Sequence, residues 1–151
     1  MRRKTFDALL TSAGLVLAVV LVIAGGLLLW AHSFVSDQVQ TQLSAQKIFF
    51  PKAGSEGLQD PAIKPYLEKY AGQQLVTGAQ AEAYANHYIA VHVAASSGGL
   101  TYAELSDKAR ANPTDTKLAG QVQSAFKGET LRGLLLNAYA FGKMGQIALI
   151  A

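Results

Sequence analysis

The chain of 151 residues has no cysteine, and this absence excludes several classes of protein. There is no disulfide scaffold, no thiolate metal site, no cysteine nucleophile and no lipidated cysteine anchor. Charged residues make up only 15% of the chain, where a globular protein usually has about a quarter. Proline and glycine, at 4 and 14 residues, are too few for a low-complexity or disordered chain. The length allows one domain, or a small domain with one or two membrane spans.

The charge is missing mainly near the N-terminus. Residues 8–36 contain no Lys, Arg, Asp or Glu, and residues 8–30 are almost wholly apolar. These 23 residues are enough to cross a hydrocarbon core about 30 Å thick as a helix. A cleaved secretory signal has a core of only about 7 to 15 residues, followed by a small-residue cleavage site. We therefore predict an uncleaved signal anchor over 8–30.

The distribution of charge predicts the orientation of this anchor. Arg2, Arg3 and Lys4 precede it, so the positive-inside rule places the tail 1–7 in the cytoplasm. Trp30 would lie at the outer interface of the plasma (inner) membrane. Residues 31–132 carry nine basic and nine acidic residues, so the predicted extracytoplasmic domain is formally neutral. The net charge of +3 is then a topology signal, and we predict no nucleic-acid partner.

The C-terminal segment 133–151 is apolar as well, with Lys143 as its one charged residue. Its 19 residues could just span a bilayer, in which case Lys143 would lie near the midplane at a cost of several kcal/mol. We predict that a second span starts within 133–151 and that the natural protein continues beyond Ala151.

The residues between the two apolar ends predict short helices and no strand. The first helix should run on to about Lys47. Asp60-Pro61 should start a helix that ends at Gly72. Thr77 with Gln80 and Thr101 with Glu104 match capping boxes, which start two further helices. Asn112-Pro113 should start a helix that ends before Gly128. The fold class is all-α: a transmembrane helix, a small extracytoplasmic helical domain and the start of a second transmembrane helix.

Histidines and tyrosines are the candidates for chemistry. Two histidines and a carboxylate, here His87, His92 and Glu82, are the ligand set of a non-haem iron site. However, each five-residue step turns about 140° around an α-helix, so we predict packed or surface histidines and no bound metal or cofactor. We interpret His32 as packing at the membrane interface, with a quinone or proton partner as the alternative. The tyrosines could line an aromatic pocket, but their i, i+4 pairs favour core packing. These are Tyr66, Tyr70, Tyr84, Tyr88 and Tyr102.

Small residues form the most informative pattern. At 100° per residue, Thr11, Gly14, Ala18 and Gly25 fall within about 60° of one another, on a face that would let another helix approach closely. A second small face contains Ala138, Gly142 and Gly145. The two faces could pack on each other, on a partner, or on both. A loop at Phe49, Phe50 and Pro51 is a candidate docking site above the membrane.

Three stretches carry a resemblance to a known family: residues 1–51, which contain the basic start, the glycine-bearing span and the Phe-Phe-Pro loop, then 69–75 and 128–141. They resemble a family of small actinobacterial membrane proteins often described as aromatic ring-opening dioxygenases, and the resemblance covers nearly the whole chain. In its general build the chain is also similar to association factors of the actinobacterial cytochrome bcc-aa3 respiratory supercomplex.

Two classes of function therefore remain. The first is a non-catalytic accessory subunit that docks on integral membrane subunits of a larger complex, with the respiratory supercomplex as the best guess. The second is a membrane-tethered enzyme or ligand binder of the dioxygenase type that uses His87, His92 and the tyrosines. The first is favoured because the chain has a clear packing face and no clear catalytic site.

Overall fold

The computed structural model describes residues 3–151, so Arg2 of the predicted tail lies outside the described part. Helices account for 79% of it, and no strand occurs within it. The α-helices are α1 (Arg3–Ala45), α2 (Lys64–Leu67), α3 (Gly78–Tyr84), α4 (Ala90–Ser97), α5 (Tyr102–Ala111) and α6 (Thr116–Ile150). Short 3-10 turns cover Glu56–Leu58 and Glu68–Tyr70, and a π-helical segment, Ala85–Ile89, joins α3 to α4. The all-α prediction is confirmed.

Helix α1 runs for 43 residues without a break, and its continuation beyond the apolar part was predicted because residues 27–47 contain no proline or glycine. It ends two residues before Lys47, whose φ of +52° turns the chain. An apolar window of α1 has a mean hydropathy of 2.6, and none of that window is buried. Within residues 3–151, α1 is the one helix long and apolar enough to be a membrane span. The same features would fit a signal sequence, so α1 establishes a candidate anchor and no orientation.

Both predicted capping boxes are present. Thr77 Oγ1 accepts a hydrogen bond from the backbone N–H of Gln80 at 3.2 Å, and Gln80 Oε1 accepts from the N–H of Thr77 at 3.0 Å. Thr101 and Glu104 make the same reciprocal pair at the start of α5. Each box satisfies backbone donors that a helix N-terminus leaves free, and this is why the local sequence sufficed to locate these two starts.

The helix predicted after Asp60 is shorter than expected. The Asp60 carboxylate accepts from the N–H of Ala62 at 2.8 Å, and this local turn delays the α-helix until Lys64. After Leu67 the chain tightens into a 3-10 turn. The segment following it, 72–75, then lies antiparallel to 48–51: Phe50 N–H donates to Gln73 O, and Leu75 N–H donates to Ile48 O, both at 2.9 Å. This pairing was not predicted, because neither segment alternates polar and apolar residues.

Helix α6 differs most from prediction. It starts at Thr116, where Asp115 caps the N–H of Leu118 at 2.9 Å, and it does not stop at Gly128. A Cβ on Gly128 would lie 2.2 Å from Val93 Cγ2, so this glycine permits close packing of α6 on α4. The prediction that Gly128 ends a helix is wrong because tertiary packing explains the glycine. Residues 116–132 and 133–150 are therefore one continuous helix.

The core lies where α3, α4 and α6 pack around the C-terminal part of α1 and the segments 48–75. Its fully buried side chains include Leu67 and Leu75, and Leu43 contributes from α1. Helix α5 packs separately on the first half of α6, where Leu105 and Ala125 are buried. The residues after the apolar part of α1 thus form a small helical layer assembled on two long antiparallel helices.

Candidate functional site

The first small face lies on the apolar half of α1 and has no neighbour in the described chain. Thr11, Gly14 and Ala18 are exposed, and Gly25 is half-buried. No heavy atom from elsewhere lies within 4 Å of a Cβ placed on Gly14 or Gly25. The Thr11 hydroxyl donates to Asp7 O of its own helix at 2.9 Å, so it needs no other partner in lipid. This face is available to another helix.

The second small face is already occupied within the chain. A Cβ on Gly145 would lie 3.3 Å from Val35 Cγ1 of α1, and one on Gly142 would lie 3.5 Å from Gly78 Cα of α3. A Cβ on Gly78 would in turn lie 3.1 Å from the backbone oxygen of Ala138. The sequence left open whether Ala138, Gly142 and Gly145 pack within the chain, on a partner, or on both, and these contacts show packing within the chain. Contact of this face with an external partner stays a prediction. The three residues let α6 approach two helices of its own chain.

A hydrogen bond between α1 and α6 shows which residues of the two helices lie side by side. His32 Nδ1 lies 2.8 Å from the backbone oxygen of Gly145. A carbonyl only accepts, so Nδ1 carries the proton and donates it. His32 follows Trp30 by about 3 Å of helix rise. If Trp30 marks the outer membrane surface, Lys143 lies outside the membrane, and a second span would begin only after Gly145. The second span within 133–151 stays a prediction.

The Phe-Phe-Pro loop is only partly exposed. Phe50 is 2% exposed, and its ring lies 5.1 Å from that of Tyr70 and 5.4 Å from that of Tyr84. Pro51 is half-buried, with its ring carbons beside Gly57. Phe49, at 57% exposure, points outward. Of the three residues predicted to form a docking loop, only Phe49 has a largely exposed side chain. The reason is the antiparallel pairing with 72–75, which turns alternate side chains to opposite sides.

The histidines and Glu82 have separate neighbours. The His87 ring stacks on Tyr66 at 3.5 Å and nearly parallel, whereas His92 packs on Tyr88 and its Nδ1 lies 2.8 Å from Tyr88 O. Glu82 Oε1 accepts from Asn86 Nδ2 at 3.0 Å. The predicted angles assumed a regular α-helix, and the π segment changes them between 85 and 89. Within 3–151 no three His, Cys, Asp or Glu side chains are grouped to hold a metal ion.

The tyrosines divide between core and surface. Tyr70, Tyr84 and Tyr88 pack on the core, as predicted, while Tyr66 and Tyr102 are 48% and 43% exposed. Burial raises the pKa of Tyr84 to about 12, and the neighbouring Tyr88 hydroxyl adds to the effect. Tyr84 therefore stays protonated throughout the physiological range. The rings of Tyr70, Tyr84 and Tyr88 fill space beside the core side chains.

A groove between α1 and α6 was missed by the sequence analysis. Its part beside Phe34 and Phe141 has a volume of about 450 Å³. It continues toward Gln46 and Leu131 through an adjoining cleft of about 200 Å³. Its lining includes Phe34, Gln38 and Gln42 of α1, Gln46 in the turn that follows α1, and Leu131, Leu134, Ala138 and Phe141 of α6. The 3-4-3 spacing of the α6 residues is typical of a helix-packing stripe. That spacing was a signal in the sequence, hidden by the interpretation of 133–151 as a span.

No protein-family model matches the chain, and neither the curated proteins nor the solved structures contain a match to it.

Proposed function

We propose that the chain is a non-catalytic accessory subunit, anchored by the membrane helix 8–30, that docks on integral membrane subunits of a larger complex. The proposed complex is the respiratory supercomplex with cytochrome bcc-aa3, as the resemblance in build implies. The N-terminus is cytoplasmic, and 31–132 form the extracytoplasmic domain at the plasma (inner) membrane, following the positive-inside rule.

One observation carries the proposal: the α6-facing stripe of α1 continues into the free small face. Leu28, His32, Val35 and Val39 are half-buried at steps of four, three and four residues. Continuing the same alternation toward the N-terminus reaches Gly25, Leu21, Ala18, Gly14 and Thr11. A stripe of this period is a helix-packing seam. Above the membrane its partner is α6, and we assign the part inside the membrane to a helix of another subunit.

Small residues on this seam favour association of the membrane helix with another helix in lipid. There the hydrophobic effect does not favour helix association, and close van der Waals packing takes its place. A glycine on the seam lets two backbones approach, and a larger side chain would hold them apart.

The test uses a matched pair of glycines. In the tagged full chain, purified in mild detergent, Gly25→Leu should lose the co-purifying membrane subunits, whereas Gly26→Leu should retain them. Both glycines have no neighbour within 4 Å of a Cβ, but Gly26 lies about 90° from the centre of the seam. Haem absorbance and mass spectrometry of the eluate identify the partners. A solitary protein that contains iron would contradict the accessory role, while partners that survive Gly25→Leu would reject the seam alone.

A further inference from the structure

The groove between α1 and α6 is an uncovered helix-packing surface outside the proposed membrane span. Four large apolar side chains along it are exposed: Phe34 by 51%, Leu131 by 37%, Leu134 by 61% and Phe141 by 54%. On α1 the lining runs from Phe34 to Leu43, a rise of about 14 Å. A two-helix layer with such a groove is half of a four-helix bundle.

We propose that a second copy of this chain fills the groove, so that two α1 helices and two α6 helices form a four-helix bundle just outside the membrane. This proposal is independent of the accessory role, because the groove and the membrane seam are different surfaces.

The chemistry of the lining favours a second copy over a different partner. None of the described residues that line the groove is charged, although residues 31–132 contain eighteen charged residues. In an interface with two-fold symmetry, residues near the axis meet their own copies, so a charge there would repel itself. A glutamine amide both donates and accepts, and it can pair with its own copy. Gln38 and Gln42 lie four residues apart along the groove side of α1, and Gln46 follows in the turn after the helix.

The anchor favours the same arrangement. Two copies inserted with the same orientation can be related only by an axis parallel to the membrane normal, which keeps each residue level with its copy. Because α1 and α6 are antiparallel, this axis generates helices of alternating direction, the ordinary up-down topology of a bundle. Confinement to one membrane also raises the effective concentration of each copy for the other.

Cysteine cross-linking tests the proposal without background, since the chain has no cysteine. In proteoliposomes containing the full chain, Gln38→Cys and Gln42→Cys should each give a covalent dimer with a short bis-maleimide reagent. The matched control Gln40→Cys lies on the other side of α1, in the cleft beside Val76 and Thr77, and should give none. Equal cross-linking at positions 38 and 40 would mean random collision and would overturn the proposal.

A second measurement does not depend on cross-linking. In detergent, light scattering should give a protein mass of two chains of 16.0 kDa, and Leu134→Lys should reduce it to one. Ala140→Lys adds the same charge at an exposed α6 position outside the groove lining and should leave the dimer intact. A single-chain mass for the unmodified protein, together with no cross-link at position 38, overturns the proposal. In native membranes, a position-38 cross-link to a protein of different mass also overturns the proposal.

Discussion

Residues 8–30 and 31–45 belong to one unbroken helix, but the two halves have opposite surroundings. The first half is exposed almost all round, and the second half packs on α6 through Val39 and Leu43. The backbone is the same in both, so the difference comes from the partner. Residues 31–45 have their partner in their own chain, whereas the small face of residues 8–30 has none among the described residues. Four predictions probe this contrast, beginning with the largest expected effect.

Shortening a buried side chain in residues 31–45 should lower the stability of the protein far more than shortening an exposed side chain in residues 8–30. Leu43→Ala removes a core side chain that is 4% exposed, and we expect a loss of about 2–5 kcal/mol in unfolding free energy. Leu17→Ala, at a position 59% exposed, should leave the thermal midpoint unchanged. Circular dichroism of the full chain in detergent measures both. Equal losses would mean that the outer domain depends on the span for its stability.

The close contact between α3 and α6 offers the next test. Gly78→Leu would press a side chain against the backbone of Ala138 and Tyr139, at a cost of about 1–3 kcal/mol in unfolding free energy. Gly120→Leu is the control. Gly120 lies in α6, the helix that Gly78 contacts, but nothing lies within 4 Å of a Cβ placed on it. It should be neutral or slightly stabilising, because leucine favours a helix more than glycine does. A tolerated Gly78→Leu would contradict the packing of α3 on α6.

His32 marks the border between the two halves of α1. His32→Phe keeps an aromatic ring but removes the hydrogen bond to Gly145, and we expect a loss of about 0.5–1.5 kcal/mol. Hydrogen exchange should then rise in the last turns of α6 and remain unchanged in α5. Ser33→Ala, at an exposed neighbouring position, serves as the control. Unchanged exchange near Gly145 would show that the bond does not hold the end of α6.

The smallest effect concerns the pH dependence of the outer domain. Hydrogen bonds from the Thr101 N–H and hydroxyl lower the pKa of Glu104 below its ordinary value. A lowered folded-state pKa stabilises the protein above the ordinary value, and this contribution is lost as the pH falls through the folded-state pKa. Glu104→Gln keeps the acceptor without the charge. The difference in thermal midpoint between the two proteins should therefore be constant near neutral pH and shrink in acid. A difference that grows in acid would contradict the assigned direction.

Local signals predicted local structure well. The capping boxes at Thr77 and Thr101 place helix starts because both hydrogen-bond partners lie within three residues. The length of α1 follows from a run without breakers. Interactions between distant residues were not predictable in this way: the pairing of 48–51 with 72–75, the burial of Phe50 and the occupants of the second small face all depend on which segments meet.

For the candidate site too, the small faces were predictable from local spacing, whereas their neighbours were not. The small face at Thr11, Gly14, Ala18 and Gly25 was predicted from spacing alone, and its role stays a prediction. The face at Ala138, Gly142 and Gly145 was also recognised as a packing surface, but spacing alone could not name its neighbours within the chain, Val35 and Gly78. A glycine in a helix shows that something comes close without showing what. Gly128, interpreted as a helix end, makes the same point.

The amino-acid sequence by itself determined a cysteine-free, all-helical chain with one long apolar helix and a charge-balanced segment over 31–132. Each of these follows from composition, period or a contact within one turn. Only the tertiary structure decided that α6 is one continuous helix and that it lies along the outer half of α1. Those outcomes depend on which distant surfaces are complementary in shape, and a small residue fits many such surfaces equally well.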